Sequence, residues 1–300
     1  MQKITPTLWF DKNAEEAAKF YTSIFKNGKI GSTTHYTEAG FEVHHMPAGT
    51  VLTVEFQIEG YDFLALNGGP VFKFTPAISF MVNCPSAGEV DELWAKLSEG
   101  GTPLMPLDSY PFSPRYGWIQ DKYGVSWQLI FMQAGAPRTI VPSLMFTGPQ
   151  VGKAEEAINF YASIFPDSSV GMITRYGAES APDKEGMVMY GEMTLAGQKF
   201  AAMDSAYDHK FNFNEAISFL VTCKDQAEID FFWEKLSAVP ASEQCGWLKD
   251  KYGVSWQIVP VGMDEMLNSP DKAKADRAMQ AIMQMKKIDM AGLQAAFDGE

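Results

Sequence analysis

The feature that most constrains this chain is a pattern stated twice. Residues 14–25 (AEEAAKFYTSIF) return at 154–165 (AEEAINFYASIF), and residues 77–80 (AISF) return at 216–219. Residues 117–128 (GWIQDKYGVSWQ) return at 246–257 (GWLKDKYGVSWQ). The order is kept while the offset falls from 140 to 139 to 129, so the first copy carries about ten extra residues before its Gly-Trp segment. So long a period is not that of a solenoid. It marks a tandem duplication, with a first domain at residues 1–136, a second at 137–262 and a tail at 263–300.

Each half is long enough for a core of its own. A net charge of −13 disfavours nucleic acid and anionic membranes as partners, since both are polyanions. It is compatible with neutral or cationic ligands, and it also serves solubility. No apolar run reaches the length of a membrane span. The N-terminus lacks the charged-then-apolar pattern of a signal peptide. A cytoplasmic location is therefore expected. Cys84, Cys223 and Cys245 are an odd set, which disfavours a disulfide framework.

Within each copy the periodicity reads strand, helix, strands, twice over. In the first copy, strands are expected at 5–10, 29–36, 51–58 and 63–66, with a helix at 14–25 whose apolar stripe is Ala17, Phe20, Tyr21 and Ile24. Gly68-Gly69-Pro70 breaks the chain. The pattern resumes with a strand at 77–83, a helix at 87–97, a proline-rich loop, a strand at 118–120, a turn at 121–124 and a strand at 125–131. Asp121 to Gly124 and Asp250 to Gly253 end in a glycine that tolerates positive φ. After residue 259, Ser269-Pro270-Asp271 reads as a helix start, and Asp289 as the cap of a second short helix. This tail would dock on a domain or a second chain, or cover a pocket.

His44-His45 invites a metal reading. On a strand, adjacent side chains point to opposite faces, so the pair would not chelate one ion.

The double βαβββ order and the quoted motifs resemble the vicinal oxygen chelate superfamily of glyoxalases, extradiol dioxygenases and bleomycin-resistance proteins. More narrowly, Trp9-Phe10-Asp11, residues 14–25, residues 65–70, residues 246–257 and residues 279–288 resemble its PhnB-like group, often labelled 3-demethylubiquinone-9 3-methyltransferase. The resemblance implies an α+β fold: two tandem domains, each of two βαβββ modules closing a cup-shaped, eight-stranded sheet, with helices outside and a helical C-terminal tail. Half-length members of the family are commonly dimers. The duplication would then make a dimer-like pair within one chain, and a homodimer of it is possible.

In metal-using members of that superfamily, four inward positions carry His or Glu. The alignment places them here at Pro6, Ala65, Ala77 and Gln128, and in the second copy at Pro142, Ala202, Ala216 and Gln257. No one-residue shift yields a His/Glu quartet, so no metal or other cofactor is expected. Gln128 and Gln257 would be polar anchors at the cup floor or satisfied core amides. Trp127 and Trp256, of opposite parity, should face the helices. Trp118 and Trp247 precede the turn and are candidate pocket walls. Cys245 stands where the first copy has Tyr116 and is a candidate pocket residue or nucleophile. Cys84 and Cys223 read as small buried hydrophobes. Asp204, in place of Asn67, could put a charge at the cup rim, as could Arg115 and Arg175. The aromatic, proline-rich run at 110–114 would narrow a pocket or pack on the other domain.

The label's methyltransferase chemistry finds no Gly-rich strand-to-helix loop of the Rossmann kind. The expected function is metal-independent binding of a small molecule in one or both cups. The alternatives are a superfamily enzyme working without the usual quartet, and a domain pair whose filled cups serve assembly.

Overall fold

The computed structural model describes residues 2–300. The first copy runs β1 (Ile4–Phe10), α1 (Ala14–Ile24), β2 (Lys29–His35), α2 (Phe41–His44), β3 (Val51–Ile58), β4 (Tyr61–Asn67), β5 (Ile78–Cys84), α3 (Ala87–Leu97), β6 (Thr102–Tyr110), β7 (Ser113–Gln120) and β8 (Ser126–Phe131). The second runs β9 (Thr139–Phe146), α4 (Ala154–Ile164), β10 (Ser169–Arg175), β11 (Val188–Leu195), β12 (Gln198–Asp204), β13 (Ile217–Cys223), α5 (Gln226–Leu236), β14 (Trp247–Lys249) and β15 (Ser255–Pro260). The tail holds α6 (Met263–Leu267), α7 (Lys272–Gln284) and α8 (Met290–Asp298). No helix among the described residues is long and apolar enough to cross a membrane.

The strands form two mixed sheets, and the sheets do not follow the sequence copies. One has the order β14-β15-β13-β1-β4-β3-β2, the other β10-β11-β12-β9-β5-β8-β7-β6. Each therefore joins the first module of one copy to the second module of the other. The joints are β1 against β13 and β5 against β9, both antiparallel. The resemblance implied modules paired within a copy; the alternating patterns of the two copies are so alike that either pairing buries the same faces.

The first sheet has seven strands because the second copy has no counterpart of β6. In the first copy the expected proline-rich loop is in fact the β6–β7 hairpin. Pro103 and Pro106 are tolerated there because β6 is an edge strand, and its ladder is interrupted by register shifts.

The helix-covered faces of the two sheets meet in a common core. Phe63 packs on Phe80 at 5.1 Å and Phe200 on Phe219 at 5.5 Å, each pair spanning both sheets. Trp127 and Trp256 are fully buried on this face, as their parity predicts. The repeated turn motif explains itself here. The Asp121 carboxylate accepts from Tyr123 N, Val125 N, Trp127 Nε1 and the Tyr21 hydroxyl, the last at 2.7 Å. Asp250 repeats the set with Tyr252 N, Val254 N, Trp256 Nε1 and the Tyr161 hydroxyl, the last at 2.6 Å. Gly124 and Gly253 take φ of 94° and 91° to close these turns. Since α1 lies on β3 and β4 while Asp121 belongs to the β7–β8 turn, each tyrosine–aspartate bond ties one sheet to the other.

The tail helices start where expected. Asp271 caps α7 through Ala273 N and Lys274 N, and Asp289 caps α8 through Ala291 N.

Candidate functional site

Residues paired across a ladder share a face, so register decides what looks into each cup. On the cup face of the first sheet, Glu55 pairs with Leu64, Leu64 with Thr7 and Thr7 with Ser218. The second sheet repeats the row as Glu192, Ala201, Ser143 and Ser79. Gln257 Nε2 donates to Ser218 Oγ at 2.9 Å, and Gln128 Nε2 to Ser79 Oγ at 2.7 Å. The two glutamines lie at the cup floors, hydrogen-bonded to these serines.

Thr7 and Ser143 are 1% and 2% exposed, and neither hydroxyl has a hydrogen-bond partner among the described residues. A buried hydroxyl left unmade costs about 1–3 kcal/mol. The same orphan recurs at the same place in both copies, within Pro6-Thr7-Leu8 and Pro142-Ser143-Leu144. Sequence reasoning missed both residues. The signal was there: a hydroxyl kept in both copies between a proline and a leucine on a largely apolar strand.

The two cups are not equivalent. In the second sheet the β6–β7 hairpin folds over the floor. The Tyr116 hydroxyl donates to Gln128 Oε1 at 2.8 Å, and burial pushes the Tyr116 phenol well up. Tyr110, Phe112 and Tyr116 pack on one another at 5.0–5.6 Å. Met81, Val141 and Ala201 are buried beneath them, with Trp118 at the side donating to Ser126 Oγ at 2.7 Å. Tyr110 and Tyr116 thus cover the floor of a cup whose other wall belongs to the second copy, while Phe112 stays half exposed.

In the first sheet the matching positions Leu220, Thr5 and Leu64 stay partly exposed. Gln257 Oε1 has no donor among the described residues. The wall is Trp9 and Trp247, edge to face at 5.9 Å, with Trp9 Nε1 held by Gly69 O at 2.8 Å.

Other expected positions lie elsewhere. Pro6 and Ala65 pair with Phe219 and Leu8, so they face the helices; the true inward neighbours are Thr7 and Leu64. Ala202 and Asp204 share that outer parity, and Asp204 is not at the cup rim. Its carboxylate accepts from Gly152 N, Ala154 N and Val188 N, tying the start of α4 to β11. Burial pushes the Asp204 carboxyl up while these N–H groups pull it down. Asn67 accepts from Ala14 N in the same way, so the exchange of Asp for Asn leaves the structural role intact.

Cys245 packs against the tail cluster, its N–H donating to Met285 O at 2.8 Å. Burial pushes its thiol up, the wrong direction for a nucleophile. Arg115 and Arg175 are spent on Asp91 and Glu155. His44 lies in α2, not on a strand. One ring nitrogen meets Ala39 O at 3.1 Å, the other accepts from Met46 N, and the ring packs on Tyr36.

The divalent metal that the resemblance implies would need its ligands at these inward positions. The inward positions hold Thr7, Leu64, Ser218 and Gln257 in one cup, and Ser143, Ala201, Ser79 and Gln128 in the other. Hydroxyls, a neutral amide and aliphatic groups are not the His and carboxylate set such an ion needs. Among the described residues no three His, Cys, Asp or Glu side chains converge to hold one. The residues do not fit the metal.

The family model for 3-demethylubiquinone-9 3-methyltransferase matches residues 2–130 and again residues 138–259. The chain belongs to the 3-demethylubiquinone-9 3-methyltransferase family. A PhnB protein of Bacillus cereus carrying the same family label is 44% identical over 43% of this chain and 99% of its own, with a TM-score of 0.40. Glyoxalase I from Zea mays is 12% identical over 85% of this chain and 90% of its own, with a TM-score of 0.51. The fold is thus similar to that of glyoxalase I, here in a tandem member of the 3-demethylubiquinone-9 3-methyltransferase family. No curated protein matches the chain.

Proposed function

We propose that this protein is a cytoplasmic, metal-independent binder of a small molecule, held in the cup of the first sheet. The observation that carries this reading is the orphan hydroxyl of Thr7, beside Ser218 and Gln257. A ligand group hydrogen-bonded to Thr7 would satisfy a hydroxyl that no protein group meets. Trp9 and Trp247 supply the apolar wall. Ser143 marks the same floor in the second cup, where Tyr116 and its neighbours take the ligand's place. Methyl transfer, the reaction in the family's label, is the weaker reading: Gly68-Gly69-Pro70 leads from β4 toward β5 and not into a helix.

The test is native against denaturing mass spectrometry on protein purified without chelators or an affinity metal. One organic mass lost on unfolding is the expected result. A stoichiometric transition metal would sink the proposal.

A further inference from the structure

The two cups have the same floor and differ in what stands on it. In each, a glutamine is paired across the ladder with a tryptophan: Gln128 with Trp118 and Gln257 with Trp247. In each, the amide Nε2 donates to a serine of the neighbouring strand, at 2.7 Å to Ser79 and at 2.9 Å to Ser218. That leaves Oε1 as the open acceptor. In the second cup it is taken at 2.8 Å by the Tyr116 hydroxyl. The Tyr116 ring packs edge to face on Tyr110 and Phe112, over Met81, Val141 and Ala201. A phenol bonded to the floor glutamine and enclosed by apolar groups is what a bound ligand would look like. Here the chain supplies it.

The first cup lacks that occupant for a backbone reason. Strand β7 runs on through Tyr116, which pairs with Ile130. The matching strand β14 begins only at Trp247, where Gly246 and Cys245 take φ of 84° and 52° and turn the chain aside. Cys245, at the Tyr116 position, joins the tail cluster instead. The second copy also has no counterpart of β6, the strand that braces Tyr116 through Tyr110. Gln257 Oε1 is therefore left without a donor among the described residues. Met81, Val141 and Ala201 are buried, whereas the matching Leu220, Thr5 and Leu64 keep partial exposure. The wall is more aromatic, since Trp9 stands where the second cup has Met145.

We propose that the first cup takes a para-substituted phenol, its hydroxyl donating to Gln257 Oε1 and its ring against Trp9 and Trp247, in the place that Tyr116 holds in the second cup. This rests on the cup of the first sheet being a binding site. The second cup is then a self-occupied copy, with Tyr116 as its built-in ligand. Burial pushes the Tyr116 phenol up and keeps it protonated, so the floor selects the neutral phenol. Ser143 stays unpartnered with Tyr116 in place. Thr7 in the first cup accordingly answers a second polar group of the ligand and not its phenol. The rings of Trp9 and Trp247, edge to face at 5.9 Å, offer the stacking surface that the ligand ring needs.

The probes are p-cresol, which is the tyrosine side chain cut at its Cβ, and 4-methylanisole, which keeps the ring and loses the donor. Calorimetric titration of the full-length protein should show one p-cresol site per chain, about tenfold tighter than 4-methylanisole, the worth of one hydrogen bond. Gln257→Leu should bring p-cresol down to the level of 4-methylanisole, and thermal melts guard against a variant that merely misfolds. Tyr116→Ala should add a second p-cresol site, because the cavity left by the ring fits the ring's own analogue. In that variant p-cresol should also restore part of the lost thermal stability. Tyr116→Phe keeps the ring in place and should still bind one p-cresol. Equal binding of the two probes, or p-cresol binding that Gln257→Leu leaves unchanged, would overturn the phenol assignment while keeping the cup as a binding site. Binding by Tyr116→Ala alone would overturn it as well, since the first cup would then refuse phenols. Binding of neither probe at millimolar concentration would also overturn it. The cup itself would then stand only if the purified protein still released an organic mass on unfolding.

Discussion

Thr7 of the first copy and Ser218 of the second stand opposite each other on neighbouring antiparallel strands, and only the serine has a partner. The two copies thus share one floor. Thr7→Val keeps the shape and removes the orphan hydroxyl. The ligand-free variant should be more stable by about 1 kcal/mol. Urea denaturation measures this, and a loss of stability would show that the hydroxyl is satisfied in solution. Ligand carried through purification should fall at the same time, the trade expected where a strained group serves binding.

The tyrosine–aspartate ties between the sheets are hydrogen bonds to a buried acidic group. Tyr161→Phe should destabilise by about 2 kcal/mol, and Tyr21→Phe by a similar amount. The aspartates would keep three of their four donors. A change near zero in chemical denaturation would mean that the carboxyl does not depend on the phenol.

Arg138 joins the linker between the copies to Glu59, at 2.9 Å, and to Glu89. The Arg138 and Glu59 side chains are nearly buried. Arg138→Met leaves both carboxylates without their shared cation. A cost of about 3 kcal/mol is expected, since breaking a buried pair strands the other charge. Recovery on lowering the pH toward the carboxylate range would confirm the cause.

Cys245 should be the first of the three thiols to react with iodoacetamide, because Cys84 and Cys223 are buried in the core. It should still react more slowly than a free thiol at neutral pH. Burial pushes its thiol up, as it pushes Cys84 and Cys223 up to about 12. The rate should climb as the pH rises and the thiolate forms. Mass spectrometry of peptides reads out the site; fast labelling at neutral pH would revive a nucleophilic role.

Much of this architecture is legible in the residues. The duplication is plain, and period-two alternation sends Trp127 and Trp256 to the core and Gln128 and Gln257 to the cups. The Asp-x-x-Gly turns and the caps at Asp271 and Asp289 are local chemistry, so a short window suffices. Where the alignment slipped by one residue, at Pro6 and Ala65, the error flipped the face, because alternation allows no partial mistake.

What tertiary structure alone decided is which module pairs with which. Both copies carry the same apolar alternation, so β1 could bury its face equally well beside β5 or β13. Pairing with β13 places Thr7 beside Ser218, across more than two hundred residues of chain. The same holds for the docked tail. Met283 meets Gly40, and Gln244 meets the backbone of Met283, only once the sheet has brought both edges beside the tail. Sequence determines the periodicity, the turns and the caps, because those depend on neighbours along the chain. The shared floor and the docked tail depend on neighbours across it.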